Sequence, residues 1–195
     1  IVTPGTTFME HLNTFLRNWV KKWNKNNDLE ILLSDSSEPG EGEHKIFDYL
    51  REFGNEEDYY CIYGLDADLI MISLINKFKI DLIREELHFN RVVKNQFGDI
   101  EYLFLDIKEL ENCIIAEIKE MCQEKLYENE DLIEFIDNID KQAVIDYVFL
   151  CFFIGNDFIP AIPMLRIKDG GIQYILDIYT RILVSKRRYI VKDDG

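Results

Sequence analysis

The alternation of short apolar runs with stripes of helical period constrains this chain most. Tyr59 to Tyr63 and Ile80 to Ile83 are too short for helices and too apolar for loops, so they read as strands of a covered sheet. Leu29 to Leu33 reads the same way and runs into the polar stretch Ser34-Asp35-Ser36-Ser37. Between these runs the period changes. Phe8, Leu12, Phe15, Leu16, Trp19, Val20 and Trp23 form one helical stripe, with both tryptophans expected in the core, and Thr7 with Glu10 fits a capping box at its start. Ile46, Phe47, Leu50 and Phe53 predict a second helix, ended by Gly54. Leu69, Ile70 and Leu74 predict a third, Ile107 to Cys122 a long amphipathic one, and Ile172 to Leu183 a last one. Val144 to Ile154 is almost wholly apolar; the pattern fits helix or strand, and a buried helix is expected. Together these elements predict an α/β fold, a mostly parallel sheet flanked by helices.

Length and charge narrow the classes. The 195 residues suit one domain spanning 1–195. Ile1-Val2 before Thr3-Pro4-Gly5 reads as the tail of a strand entering a turn, so an internal piece of a longer protein is expected, with part of its active site upstream. With 22 basic and 37 acidic residues the net charge is −15, which excludes bulk attraction to nucleic acid or anionic lipid. A polyanion would have to be met through metal ions or through basic surface supplied from elsewhere. Asp106 to Asp140 carries twelve acids and three bases and reads as a solvated helical face with an acidic loop. The longest apolar run, Tyr147 to Ile154, is far below membrane length, and no secretory signal is visible, so an intracellular protein with no membrane partner is expected, cytoplasm or nucleus left open. Cys61, Cys113, Cys122 and Cys151 form no CxxC pair and sit in apolar stretches, which predicts buried reduced thiols and no zinc site.

The chemistry lies in carboxylates. Glu41 and Glu43 stand two apart in the Gly-rich stretch after Pro39, Asp66 and Asp68 two apart just past the strand at Tyr59 to Tyr63, and Asp157 after the apolar run ending at Gly155. If each follows a strand of a parallel sheet, all five reach one sheet edge, the usual ligand edge of such folds. Five converging carboxylates cannot all stay ionised without counter-charge. Oxygen donors with no thiolate or histidine cluster suit Mg²⁺ or Mn²⁺, and two such ions can clamp the attacking and leaving oxygens of a phosphodiester displacement. Each piece also has a plainer use: Glu41 and Glu43 as helix-dipole partners, Asp157 as a turn residue or cap, His44 and Lys45 as solvated helix residues.

Three stretches resemble the Xrn-type eukaryotic 5′→3′ exoribonucleases: Glu38-Pro39-Gly40-Glu41-Gly42-Glu43-His44-Lys45-Ile46, Ile62-Tyr63-Gly64-Leu65-Asp66-Ala67-Asp68-Leu69-Ile70-Met71, and Ile154-Gly155-Asn156-Asp157-Phe158-Ile159-Pro160. Their order and approximate separations agree as well. Thr3-Pro4-Gly5-Thr6 with Phe8-Met9, and Ile83-Arg84-Glu85-Glu86, are smaller echoes. The resemblance implies the second part of a nuclease core of the flap-endonuclease (PIN-like) superfamily, incomplete without its N-terminal part. It implies processive hydrolysis of RNA bearing a 5′-monophosphate to mononucleotides, with two Mg²⁺ or Mn²⁺ ions held by Glu41, Glu43, Asp66, Asp68 and Asp157. His44 and Lys45 become candidates for contact with substrate. The family's first acids and its basic 5′-phosphate pocket fall upstream of Ile1, so the piece by itself is expected to be inactive. Where the family commonly has histidine after the proline of the third motif, this chain has Ala161.

Three other readings stay open at this stage. A structure-specific flap endonuclease would share the acids and add a helical hairpin with Gly-rich turns. A haloacid-dehalogenase-like phosphatase would use Asp66 as a covalent nucleophile. A degenerate nuclease domain would serve as a binding scaffold.

Overall fold

A computed structural model describes every residue except 1, 4, 65, 89–90, 126–129, 158 and 193–195, and leaves out the side chains of 130 and 131. The expected turn at the start, the motif residue Leu65 and the motif residue Phe158 therefore lie wholly or partly outside the described residues. The chain divides into two compact units, Ile1–Asn55 and Glu56–Gly195.

In the first unit α1 spans Thr7–Asn26. Its N-cap is Thr6, one residue earlier than the capping-box spacing suggests: the Thr6 hydroxyl accepts from the Met9 N–H at 3.4 Å. Glu10 lies in the first turn and Lys25 in the last, each suiting the helix dipole. No residue of α1 is buried, which corrects the expected core role of the tryptophans. Their rings lie 5.3 Å apart and Trp23 donates its indole N–H to the Leu29 carbonyl at 3.1 Å.

That contact explains a second correction. Leu29 to Leu33 is not a strand: Leu29 lies in a bend and residues 30–33 take no regular secondary structure. Asn24 takes its place as partner: the side-chain amide donates to the Ile31 carbonyl at 2.8 Å and accepts from the Ile31 N–H at 2.9 Å. Side chains of α1 thus occupy backbone groups that a strand would offer to a neighbour. Helix α2 spans Gly42–Phe53, buries Phe47 and Leu50, and closes with the Gly54 N–H on the Leu50 carbonyl at 2.8 Å.

The second unit holds the sheet. Strands β1 (Tyr59–Tyr63) and β2 (Lys79–Glu85) pair in parallel, joined through helix α3 (Ala67–Leu74). A small hairpin follows, β3 (Leu87–His88) against β4 (Arg91–Val92), and β5 (Tyr102–Asp106) then pairs antiparallel with β2. The sheet order is β1-β2-β5, so the expected mostly parallel sheet is a small mixed one. Sequence reading overlooked β5, because Tyr102-Leu103-Phe104-Leu105 leads without punctuation into helix α4 (Ile107–Gln123), whose N-cap Asp106 accepts from the Glu109 N–H at 2.9 Å.

Alternation across the strands sets the layers. Ile62, Ile80 and Leu82 are buried on one face, where α4 packs against β2 and supplies Ile114 and Ile118. Tyr59, Cys61, Tyr63 and Phe104 lie exposed on the other. Among the described residues of this unit, the sheet that the apolar runs lead one to expect covered is therefore covered on one face. The expected burial of all four cysteines is corrected as well: Cys61, on the open face of β1, and Cys113 are exposed, Cys151 is half-buried, and Cys122 is buried, its thiol pushed up to about 11 by desolvation.

Helix α5 (Glu130–Asp137) precedes α6 (Lys141–Cys151), and the expected buried helix at Val144 to Ile154 is present as α6 followed by a 3₁₀ turn, Phe152–Ile154. Helix α7 (Gly171–Lys186) completes the unit. Two buried acids tie these helices. Asp146 accepts the Tyr179 hydroxyl and the N–H groups of Ile190 and Val191, each at 2.8 Å. Burial, and then the Asp146 charge, push the Tyr179 hydroxyl far above its usual range. Glu111 pairs with Lys108 and with Lys141, the latter at 3.1 Å, so one member of the acidic stretch is not a solvated acid but a paired interior one.

Candidate functional site

Two acidic pairs share one local architecture. Glu41 is the N-cap of α2 and Glu43 its second residue, with Gly42 between them. Asp66 is the N-cap of α3 and Asp68 its second residue, with Ala67 between. Both caps have extended backbone, and neither makes a side-chain capping bond. Ordinary N-caps spend their oxygen on the N–H two or three residues on; these do not. Each pair straddles the change from extended to helical backbone, so the strand alternation that would aim both side chains one way does not apply.

The backing of the pairs differs. Asp66 follows β1, and the Gly64 N–H continues the parallel pairing by donating to the Ile83 carbonyl at 3.1 Å. A Cβ at Gly64 would stand 2.4 Å from a methyl of Leu69, the first buried residue of α3. Strand end, glycine and helix start are thus packed together. Asp66 also lines a cavity of about 330 Å³ with Gly64, Ile70, Leu82, Arg84 and Phe104 among its walls. On the open face nearby, the Tyr63 hydroxyl bonds to the Glu85 carboxylate, which holds Glu85 below and Tyr63 above their usual ranges.

Glu41 and Glu43 follow no strand. Their stretch is anchored by Asp35, which is buried and accepts from Arg17 at 2.5 Å and from the N–H and hydroxyl of Ser37 at 2.9 and 2.7 Å. Sequence reading placed Asp35 in a polar run and gave it no role; a lone acid beside three small polar residues carries no periodic signal. Lys45, a candidate for contact with substrate, donates to the Asp35 carbonyl at 3.1 Å. His44 is exposed, with its Nε2 4.0 Å from Glu41.

Asp157 also follows a helical element rather than a strand. Its turn is fixed by backbone. Gly155 has φ +93°, and a Cβ there would meet the Ala161 nitrogen at 2.6 Å, so the chain folds back on Ala161. The Asn156 N–H donates to the Ile159 carbonyl at 2.9 Å, and the Ile159 N–H donates to the Asn156 side chain at 2.7 Å. Asp157 stands exposed on this turn.

The route through three parallel-strand ends therefore holds only for Asp66 and Asp68. Among the described residues no group of three His, Cys, Asp or Glu side chains is close enough together to hold an ion. What the fold provides is pairs of carboxylates at helix starts. Their donor chemistry, hard oxygen with no capping duty at Glu41 and Asp66, fits Mg²⁺ or Mn²⁺ better than a soft metal. Among the described residues no helix is long and apolar enough to cross a membrane.

Comparison with known proteins places these acids in two matched segments. Residues 1–86, with Glu41, Glu43, Asp66 and Asp68, match the family described as XRN 5′-3′ exonuclease N-terminus. Residues 138–195, with Asp157, match the Xrn1 helical domain. The chain is 35% identical over 98% of its length to 5′-3′ exoribonuclease 2 of Yarrowia lipolytica, of which that covers 19%. It is 33% identical over 97% of its length to 5′-3′ exoribonuclease 1 of Schizosaccharomyces pombe, covering 14% of it. It is 34% identical over 98% of its length to a 5′-3′ exoribonuclease 2 homolog of Caenorhabditis briggsae, covering 22% of it. The chain thus spans about a fifth of the length of the curated relatives it matches. With both matched segments in chain order and its acidic motifs inside them, the chain belongs to the Xrn family of 5′→3′ exonucleases.

Proposed function

We propose that this chain is the part of a 5′→3′ exoribonuclease that carries Glu41, Glu43, Asp66, Asp68 and Asp157 as ligands of two divalent ions, Mg²⁺ or Mn²⁺. The substrate is RNA with a 5′-monophosphate, released processively as mononucleotides. The fold completed by the rest of the polypeptide is PIN-like, and the 195 residues alone are inactive for want of the upstream acids and 5′-phosphate pocket. One observation carries this reading: the repeated acid-small-acid arrangement at two helix starts, with cap carboxylates that make no capping bond.

The residues divide the work. The starts of α2 and α3 set free backbone N–H groups, the positive ends of the helix dipoles, beside these four acids. Gly42 and Ala67 keep the first helical position small, so a phosphate can approach the acids on either side. When bound, divalent cations supply Lewis-acid polarisation of the phosphate and a more acidic water. With acids as the working groups, the chain needs no side-chain nucleophile. The ions also answer the charge problem of a chain at −15 that handles a polyanion.

The test uses the full-length polypeptide carrying this sequence and RNA with 5′-monophosphate, 5′-triphosphate or 5′-hydroxyl ends. Mg²⁺ should support stepwise loss of mononucleotides from the monophosphate RNA. Asp68→Ala and Glu43→Ala should each lower the rate by more than about a hundredfold, beyond the effect of residues that only support a ligand. Degradation that persists in EDTA, or a phosphoenzyme trapped at Asp66, would overturn the proposal.

A further inference from the structure

The stretch from Ser34 to Glu41 contains no apolar residue apart from Pro39, so burial of its own side chains cannot hold it in place. Gly40 at φ +98° adds backbone freedom just before Glu41. Something polar must fix the two acids that follow. Asp35 is the buried charged side chain at the head of this stretch, 8% exposed. A carboxylate taken out of water at that level requires pairing. Both its oxygens are used: Oδ2 accepts from Arg17 Nε at 2.5 Å, and Oδ1 from the Ser37 N–H and hydroxyl.

The links run in two directions. Towards α1, Arg17 also donates from Nη2 to the Ser37 hydroxyl at 2.6 Å, and Asn13 donates to the Ser36 hydroxyl at 2.8 Å. Towards α2, the Asp35 carbonyl accepts from the Glu38 N–H at 3.1 Å and from Lys45 Nζ at 3.1 Å. Lys45 is the residue two beyond Glu43. Asp35 therefore joins α1 to both ends of the segment that bears Glu41 and Glu43.

We propose that Asp35, held by Arg17, is a positioning residue that sets Glu41 and Glu43 for a divalent cation, and that Lys45 serves the same strut rather than substrate. The proposal rests on the metal-ligand reading above. It makes no claim that Asp35 touches the ion. Partners that hold ligands from behind commonly change metal affinity 10–100-fold when removed.

Two measurements on the full-length polypeptide separate this from simple stabilisation. The first is Mn²⁺ binding, followed by the electron paramagnetic resonance signal of the free ion. Asp35→Ala and Arg17→Ala should each weaken Mn²⁺ about 10–100-fold, the double variant little more than either alone, and Arg17→Lys should restore part of the loss. Thermal melting run alongside reports stability; a lower melting temperature with unchanged Mn²⁺ affinity overturns the proposal. The second is amide hydrogen exchange. In Asp35→Ala, residues 36–45 should exchange about tenfold faster, as expected for loss of a charged hydrogen bond, while α3 stays unchanged. Unaltered exchange in 36–45 overturns the proposal whatever the activity. If wild type binds no Mn²⁺, the metal reading and with it this role both fall; if Glu43→Gln loses Mn²⁺ and Asp35→Ala does not, only the positioning role falls.

Discussion

The two acidic pairs are built alike and supported differently. Asp66 and Asp68 come off β1, whose backbone is paired residue by residue with β2 and whose Ile62 is buried. Glu41 and Glu43 come off a stretch held by the side chains of Asp35, Arg17 and Lys45. A backbone ladder shares its load over many bonds that no single substitution removes. A side-chain strut concentrates it in a few atoms. The sheet-backed pair should therefore fail only with the core, and the strut-backed pair should be tunable by one residue.

The largest effect should come from breaking the sheet side where it is strongest. Ile62 is 5% exposed and lies on the covered face of β1, the strand that leads to Asp66. Ile62→Ala should destabilise the second unit by about 2–5 kcal/mol through lost burial and an unfilled cavity. Denaturant titration followed by far-ultraviolet circular dichroism would measure it. A loss under 1 kcal/mol would mean that β1 contributes little to holding Asp66 and Asp68.

A smaller effect sharpens the other side. Asn24→Ala removes both bonds to the Ile31 backbone. These groups are exposed and regain water, so the cost should be only about 1 kcal/mol. Trp19 and Trp23 both lie on α1, and they are the chain's only tryptophans, so fluorescence reads this unit by itself. An unchanged unfolding midpoint would show that the segment around Ile31 needs no such partner.

What the sequence made legible follows the same division. Periodic signals were readable: α2, α3, α4, α6, α7, β1 and β2 all lie where the apolar pattern places them. The acid-small-acid motifs were readable because their spacing is local. Other features were not. Leu29 to Leu33 has the composition of a strand, yet strand formation needs a backbone partner, and Asn24 and Trp23 take those groups. β5 was hidden because its residues run into α4 with no turn residue between. Asp35 was hidden because its importance lies in a partner eighteen positions earlier in the chain. Which face of β1 is covered is likewise a tertiary fact, and the exposure of Cys61 goes with it.

The mildest way to strain the comparison is acid. The hydrogen bond from Arg17, then those from Ser37, hold the Asp35 carboxyl down at about 2. An unfolded aspartate titrates near 3.9. The folded state therefore binds this proton more weakly than the unfolded chain, and the strut's contribution is complete above about pH 4. It is lost progressively as pH falls from there through about 2. Tryptophan fluorescence of the first unit should show falling stability across that window, and Asp35→Asn should flatten the dependence. In the second unit Glu57, Glu85 and Glu111 are also held below their usual range, by Lys79, by the Tyr63 hydroxyl, and by Lys108 with Lys141 against the opposing desolvation. Circular dichroism, dominated by that larger unit, should thus fall with acid in wild type and in Asp35→Asn alike. A fluorescence profile that keeps its full acid dependence in Asp35→Asn would show that the first unit's acid response belongs to other carboxylates, and that Asp35 does not concentrate the load assigned to it.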